Sequence, residues 1–159
     1  MTVGLFFGME DALTVYAEAI TVTNNMSINT ETEDDYYLSD DSRLNVGSQG
    51  KVKGKIYCSG GVVVNEGYVR AVESNFADFY NESGATVDSI QAGYGTVVNK
   101  GDITNLGLTA NSSTYASVLE MNGGKVGTVS SDGSMGLPQI KLSSGTIQNL
   151  NVSCDLQAL

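Results

Sequence analysis

GDITNL, residues 101–106, returns as GTIQNL at residues 145–150. With Gly101 and Gly145 as position zero, apolar residues stand two and five places on, as Ile103 with Leu106 and Ile147 with Leu150. Gly67 carries Val62, Val64, Val69 and Val72 at −5, −3, +2 and +5, and Gly124 carries Leu119, Met121, Val126 and Val129 there. Ile140 and Leu142 precede Gly145, and Thr96 and Val98 precede Gly101, so fifteen of the sixteen places are apolar. A chain that is 41% apolar would fill about six or seven of them by chance.

Gly84 and Gly50 join the series with a slip of one residue: Phe79 precedes Gly84 at −5 but Val87 and Ile90 follow late, and Leu44 and Val46 come one place early before Gly50. Asn25 takes the glycine place in an earlier unit, since Asn also tolerates a left-handed backbone. Gly8 opens the series, with Glu10 at an inward place. The intervals are 17, 25, 17, 17, 17, 23 and 21, a base period of 17 with extra residues at three turns.

Short alternating strands turned at glycines with that period predict an all-β fold, a parallel β-solenoid of about eight short coils. Coils stacked at the ~4.8 Å strand spacing bury their apolar places in one continuous core and make a rod of ~38 Å. A β-sandwich also uses short strands and Gly turns, but it has no reason to hold a fixed phase. Residues 1–159 form a single domain in this reading, with less regular coils and an acidic insertion in 1–43 and regular coils in 44–150, and the chain is expected to be a fragment of a longer protein. Asn65, Asn99 and Asn122 share the place two before a glycine. Either a stacked amide ladder or the ordinary preference of Asn for turns accounts for them.

Composition limits the function. Eighteen acidic against eight basic residues leave a net charge of −10, a field that repels phosphate backbones and anionic lipid, so no nucleic-acid partner is expected. The chain has no His, the commonest general base and metal ligand. The first nineteen residues lack a basic leader and break their apolar run at Glu10 and Asp11, so they do not read as a signal peptide. No stretch is long and apolar enough for a spanning helix, and no membrane insertion is expected. Cys58 and Cys154 fall five coils apart, or ~24 Å, against the ~7 Å limit between bridged Cα atoms, so no disulfide is expected.

IYCSGGVVVNEGYV at 56–69, VVNKGDITNLG at 97–107 and VLEMNGGKVGTV at 118–129 repeat a short Val/Ile strand, a polar residue or two, and Gly or Gly-Gly. In this pattern the chain resembles the AIDA-like repeats of bacterial autotransporter adhesins and, more loosely, β-helical segments of phage tail spikes. The resemblance implies a right-handed β-helix at a cell surface or outside the cell, elongated, with an adhesive or structural role. It supplies no functional residue. Few Gly-Gly pairs, two cysteines and irregular insertions depart from the adhesin pattern.

Candidate sites lie in the insertions. ETEDDYYLSDD at 31–41 gathers Glu31, Glu33, Asp34, Asp35, Asp40 and Asp41 around Tyr36 and Tyr37. Carboxylates beside tyrosines suit a sugar or a hard cation, but the order of a calcium loop is absent, and a solvated acidic loop is the favoured reading. Lys51, Lys53 and Lys55 alternate on one strand face, and pairing with the acidic loop explains them without a ligand. Loops at 108–117 and 130–138, with Asn111, Tyr115 and Asp132, project from one corner of successive coils as a candidate binding surface. Asp88 and Asp102 are the best carboxylate pair for glycoside chemistry, but no cleft-building segment accompanies them, and no enzyme activity, cofactor or metal is expected. Asn25, Asn81, Asn111 and Asn151 open N-x-S sequons, which matter only in a glycosylating host.

The function expected is therefore a non-enzymatic structural or adhesive module of a bacterial cell-surface or secreted protein, presenting loops on a stiff rod to glycans or to host or like cell-surface proteins. A carbohydrate-active or receptor-binding tail-spike-like domain and a self-assembling filament subunit are the alternatives. End-to-end homo-oligomers follow from a solenoid end with unpaired backbone.

Overall fold

The computed structural model describes residues 18–109, 116–132, 138–152 and 157–158. Those residues are all strand and turn, and no helix among them is long and apolar enough to cross a membrane. In chain order the strands are β1 (Ala19–Val22), β2 (Asn25–Ile28), β3 (Glu31–Thr32), β4 (Asp35–Leu38) and β5 (Arg43–Val46). The regular coils follow with β6 (Lys51–Cys58), β7 (Val62–Asn65), β8 (Tyr68–Ser74), β9 (Asp78–Asn81), β10 (Thr86–Ala92), β11 (Gly95–Asn99) and β12 (Asp102–Thr109). The last are β13 (Ser117–Asp132), β14 (Gln139–Val152) and β15 (Gln157–Ala158).

Every pairing is parallel and joins a strand to its counterpart one coil away. One ladder runs β1, β4, β6, β8, β10, β12, and the other runs β2, β5, β7, β9, β11. Both enter the long β13, and from it β14, in which a whole coil is a single bent strand. The result is a parallel β-solenoid of about seven turns, consistent with a right-handed β-helix. Glycine corners allow the stacking: a methyl group on Gly124, whose φ is +60°, would lie 1.9 Å from the carbonyl oxygen of Gly101.

GDITNL at 101–106 keeps its register. Ile103 pairs Val126, which pairs Ile147, and Leu106 pairs Val129, which pairs Leu150, so GDITNL and GTIQNL hold the same places two coils apart. Val52, Val69, Val87, Ile103 and Val126 form one buried column, and Tyr36, Ile56, Val72, Ile90, Leu106 and Val129 another. Each fully buried aliphatic side chain contributes about 1.5–3 kcal/mol, so these columns add to the cohesion that the backbone ladders give between coils.

Several of the expected places shift. The corner equivalent to Gly67 and Gly101 is Ala85, because Thr86 donates its backbone N–H to Gly67 and Asp102 donates to Ala85, and Gly84 lies one residue earlier with φ +84°. Asn25 begins β2 opposite Arg43, and Thr30 holds the corner below Gly50 by accepting the Lys51 N–H. Gly8 lies outside the described residues. Before Gly67 and Gly101 the inward side chains are Val63 with Asn65 and Val97 with Asn99, while Val62, Val64, Thr96 and Val98 point outward and are half-buried. The apolar runs read equally well in either phase, and turns of unequal length defeat counting back from the glycine.

That shift places a polar column in the core. Val46, Asn65, Asn81, Asn99 and Met121 are successive register partners, and all are buried. Asn65 Nδ2 donates to Asn81 Oδ1, and Asn81 Nδ2 donates to Asn99 Oδ1, each at 2.9 Å. The second proton of each amide ties the column to the next face, from Asn65 to Thr86 O at 3.2 Å and from Asn81 to Asp102 O at 3.3 Å. Asn99 closes the series on Gly101 O and Lys125 O. Of the two readings of these asparagines, the amide ladder holds for Asn65 and Asn99, with Asn81 between them, and the exposed Asn122 does not belong to it. No buried side-chain N or O among the described residues lacks a partner.

Candidate functional site

The acidic insertion does not remain a cluster. Strand alternation sends the adjacent tyrosines of β4 to opposite sides: Tyr36 is 3% exposed between Ile20 and Ile56, and Tyr37 is 41% exposed. Tyr36 is thus a core residue, correcting its assignment as a binding residue. Asp34 accepts a hydrogen bond from the Thr32 hydroxyl at 2.6 Å and from the Glu18 N–H at 3.0 Å, and these hold its carboxyl below its ordinary pKa. Asp35 accepts the Lys55 N–H at 2.6 Å, where β6 steps out of register with β8 around Lys53 and Gly54.

Glu31 and Glu33 meet the lysines, as expected. Lys53 contacts both, Glu33 at 3.2 Å, and Lys51 reaches Glu31 at 3.8 Å. Hydrogen bonding to Lys53 lowers the Glu31 pKa, and the same bond raises that of Lys53. Lys55 turns instead to Glu73, at 2.6 Å. Asp40 and Asp41 lie on the far corner of the coil, Asp41 with φ +65°. Among the described residues no three His, Cys, Asp or Glu converge as metal ligands would.

What the fold does assemble is a groove of about 280 Å³ over the outward face of β4, β6 and β8. Thr21, Tyr37, Tyr57 and Glu73 are register partners across four coils, and they line it together with Ser39, Ser59 and Asn75. Tyr37 and Tyr57 stack with ring centroids 4.8 Å apart and planes within 9°, so the ring spacing equals the strand spacing. On the other side of Tyr37 the register places Thr21, too short to cover a phenol ring. Lys55 Nζ sits 4.5 Å from the Tyr57 centroid while bonded to Glu73, a cation over a ring with its charge balanced beside it. The Glu73 hydrogen bond raises the Lys55 pKa, so the ammonium keeps its proton. The site thus offers aromatic surface, a carboxylate, an amide and the three aliphatic hydroxyls of Thr21, Ser39 and Ser59 on a rigid frame.

Cys58 closes the groove floor and is a free thiol, 3% exposed, its pKa pushed up to about 12 by burial. It packs between Leu38 and Ser74. Cys154 lies outside the described residues.

The other expected places contribute little here. Asn111 and Tyr115 lie outside the described residues, and so does most of both later loops; the backbone of Asp132 ends β13. Asp88 accepts the Tyr68 hydroxyl at 2.5 Å, and that bond, more than burial, raises the tyrosine's pKa. Asp102 is exposed and stands opposite Thr86, two residues before Asp88. Tyr57, Glu73 and Asn75 were missed in the sequence. The signal was the shared column of Leu38, Cys58 and Ser74, which fixes Tyr37 against Tyr57 once the 20-residue coil between them is counted.

No family model, curated protein or solved structure matches this chain.

Proposed function

We propose that this chain is a non-enzymatic adhesive module of a bacterial cell-surface or secreted protein, holding glycans against one face of a stiff β-solenoid rod. The observation that carries the reading is the Tyr37–Tyr57 stack in a groove with Glu73, Asn75, Ser39 and Ser59. Aromatic surface takes the apolar face of a sugar ring, and the carboxylate, amide and hydroxyls match its hydroxyl groups. The groove is open and shallow, so single contacts are weak and affinity comes from many copies acting together. The test is a glycan array probed with the parent chain and with Tyr37→Ala/Tyr57→Ala. Binding to a defined set of sugars that disappears in the double variant supports the reading; binding that survives it, or no binding, rejects it.

A second reading, association of copies end to end, is favoured by the apolar columns running out to exposed Leu142 and Leu150 on β14. Sedimentation of Leu142→Lys/Leu150→Lys beside the parent tests it. A monomeric parent at high concentration removes this reading and leaves the first intact.

A further inference from the structure

We infer that the corner following the groove, built from Gly60, Phe76 and Tyr94, is a second subsite, and that the two together hold one linear, uncharged oligosaccharide lying along the rod axis. The inference rests on the glycan reading above and specifies its ligand. Asp40, Gly60, Phe76 and Tyr94 occupy one column, because the bonds from Ser59 to Leu38, Asn75 to Cys58 and Gly93 to Ser74 align the preceding residues coil by coil.

Phe76 is unusual in three independent ways. Its φ is +60°, a left-handed conformation that nearby corners give to Asp41, Gly61 and Gly95. A bulky aromatic is strained there, and strain of this kind collects at functional sites. The residue is 58% exposed, the highest value among the large hydrophobic residues described. It also stacks on Tyr94, with centroids 4.5 Å apart and planes at 24°.

The column below Phe76 carries a carboxylate. Gly60 has no side chain, and the carboxylate of Asp40 folds over it so closely that a methyl group there would lie 1.8 Å from Oδ1. A hydrogen-bond acceptor thus lies over the residue one coil before an exposed aromatic ring, repeating the chemistry of the groove. The two places are continuous, since Ser59 and Asn75 line the groove and Gly60 and Phe76 are the next residues along each coil. Carboxylates flank both places, the chain carries −10, and Lys55 is already held by Glu73, so an acidic glycan is disfavoured and a neutral one fits.

The experiment is calorimetric titration with cello-oligosaccharides and N-acetylchito-oligosaccharides of two to six units, using the parent chain, Phe76→Gly and Tyr57→Ala. Glycine suits the left-handed backbone, so Phe76→Gly keeps a cooperative melt near the parental temperature and its loss of binding is not unfolding. The parent should bind hexamer about tenfold more tightly than trimer, the value of one further aromatic contact. Phe76→Gly should erase that gain and leave trimer binding unchanged, while Tyr57→Ala weakens both. A length gain that persists in Phe76→Gly, trimer binding without any length gain, or a Phe76→Gly variant that loses only self-association in sedimentation overturns the second subsite and leaves the groove standing. Absence of all binding to the parent rejects the subsite and the glycan reading together.

Discussion

Replacing Asn81 with Ala removes the middle amide of the buried column. Asn81 accepts one hydrogen bond from Asn65 and donates two, to Asn99 Oδ1 and Asp102 O. At about 1 kcal/mol net for each, the three bonds account for about 3 kcal/mol. Because the substitution leaves a buried Asn65 N–H and the Asn99 Oδ1 without their partner, those two bonds cost about 1–3 kcal/mol each instead, and a small void opens. With the third bond at about 1 kcal/mol, the expected loss is about 3–7 kcal/mol. Equilibrium urea unfolding followed by circular dichroism measures it, with the slope checked against the parent because solenoid coils can uncouple. Asn122→Ala, at an exposed place just outside the column, is the control and should lie within about 0.5 kcal/mol of the parent. A loss below about 1 kcal/mol for Asn81→Ala at unchanged slope would refute the claim that the amides are mutually satisfied and carry the corner.

Three other outcomes follow from the described contacts. In a Cys154→Ser background the buried Cys58 thiol should resist Ellman's reagent at pH 8 in the native state and react at once in denaturant, and fast native labelling would contradict its burial. Asp34 has its pKa lowered by the Thr32 hydroxyl and Glu18 N–H, so its contribution is present above the ordinary carboxylate pKa of about 4 and is lost as pH falls through the folded value. Asp34→Asn should flatten the acid arm of the urea midpoint against pH, and an unchanged arm would count against those bonds. Tyr68 has its pKa raised by Asp88, so its contribution is full below the ordinary tyrosine pKa of about 10 and lost as pH rises through the folded value. Tyr68→Phe should remove that alkaline decline and cost about 1–2 kcal/mol at neutral pH, read from the same unfolding curves.

The solenoid was legible because its signal is redundant. Val52, Val69, Val87, Ile103 and Val126 repeat at one place per coil, and each falls two residues after a corner. The phase of the β7 and β11 face was not legible, since VVVN and TVVN offer an apolar residue to either side. What fixes it is the amide network, a contact between residues 16 and 18 apart that no local pattern reveals. The acidic insertion misled for a related reason. Its carboxylates are close in sequence, but alternation and capping send Asp34 and Asp35 to backbone donors and Glu31 and Glu33 to lysines. The groove residues Tyr57, Glu73 and Asn75 come from two later coils, and only the true register brings them beside Tyr37.

The amide column also has a direction. Asn65 gives its proton to Asn81 and Asn81 to Asn99, so every carboxamide points the same way along the rod, and the series stops at apolar Val46 on one side and Met121 on the other. A coil duplicated between residues 65 and 99 must bring an Asn at this place, because a valine there would strand a donor above and an acceptor below. A coil added before Val46 or after Met121 meets no such demand. Length can therefore change freely at the two ends of this rod, while its centre accepts only coils that continue the chain of amides.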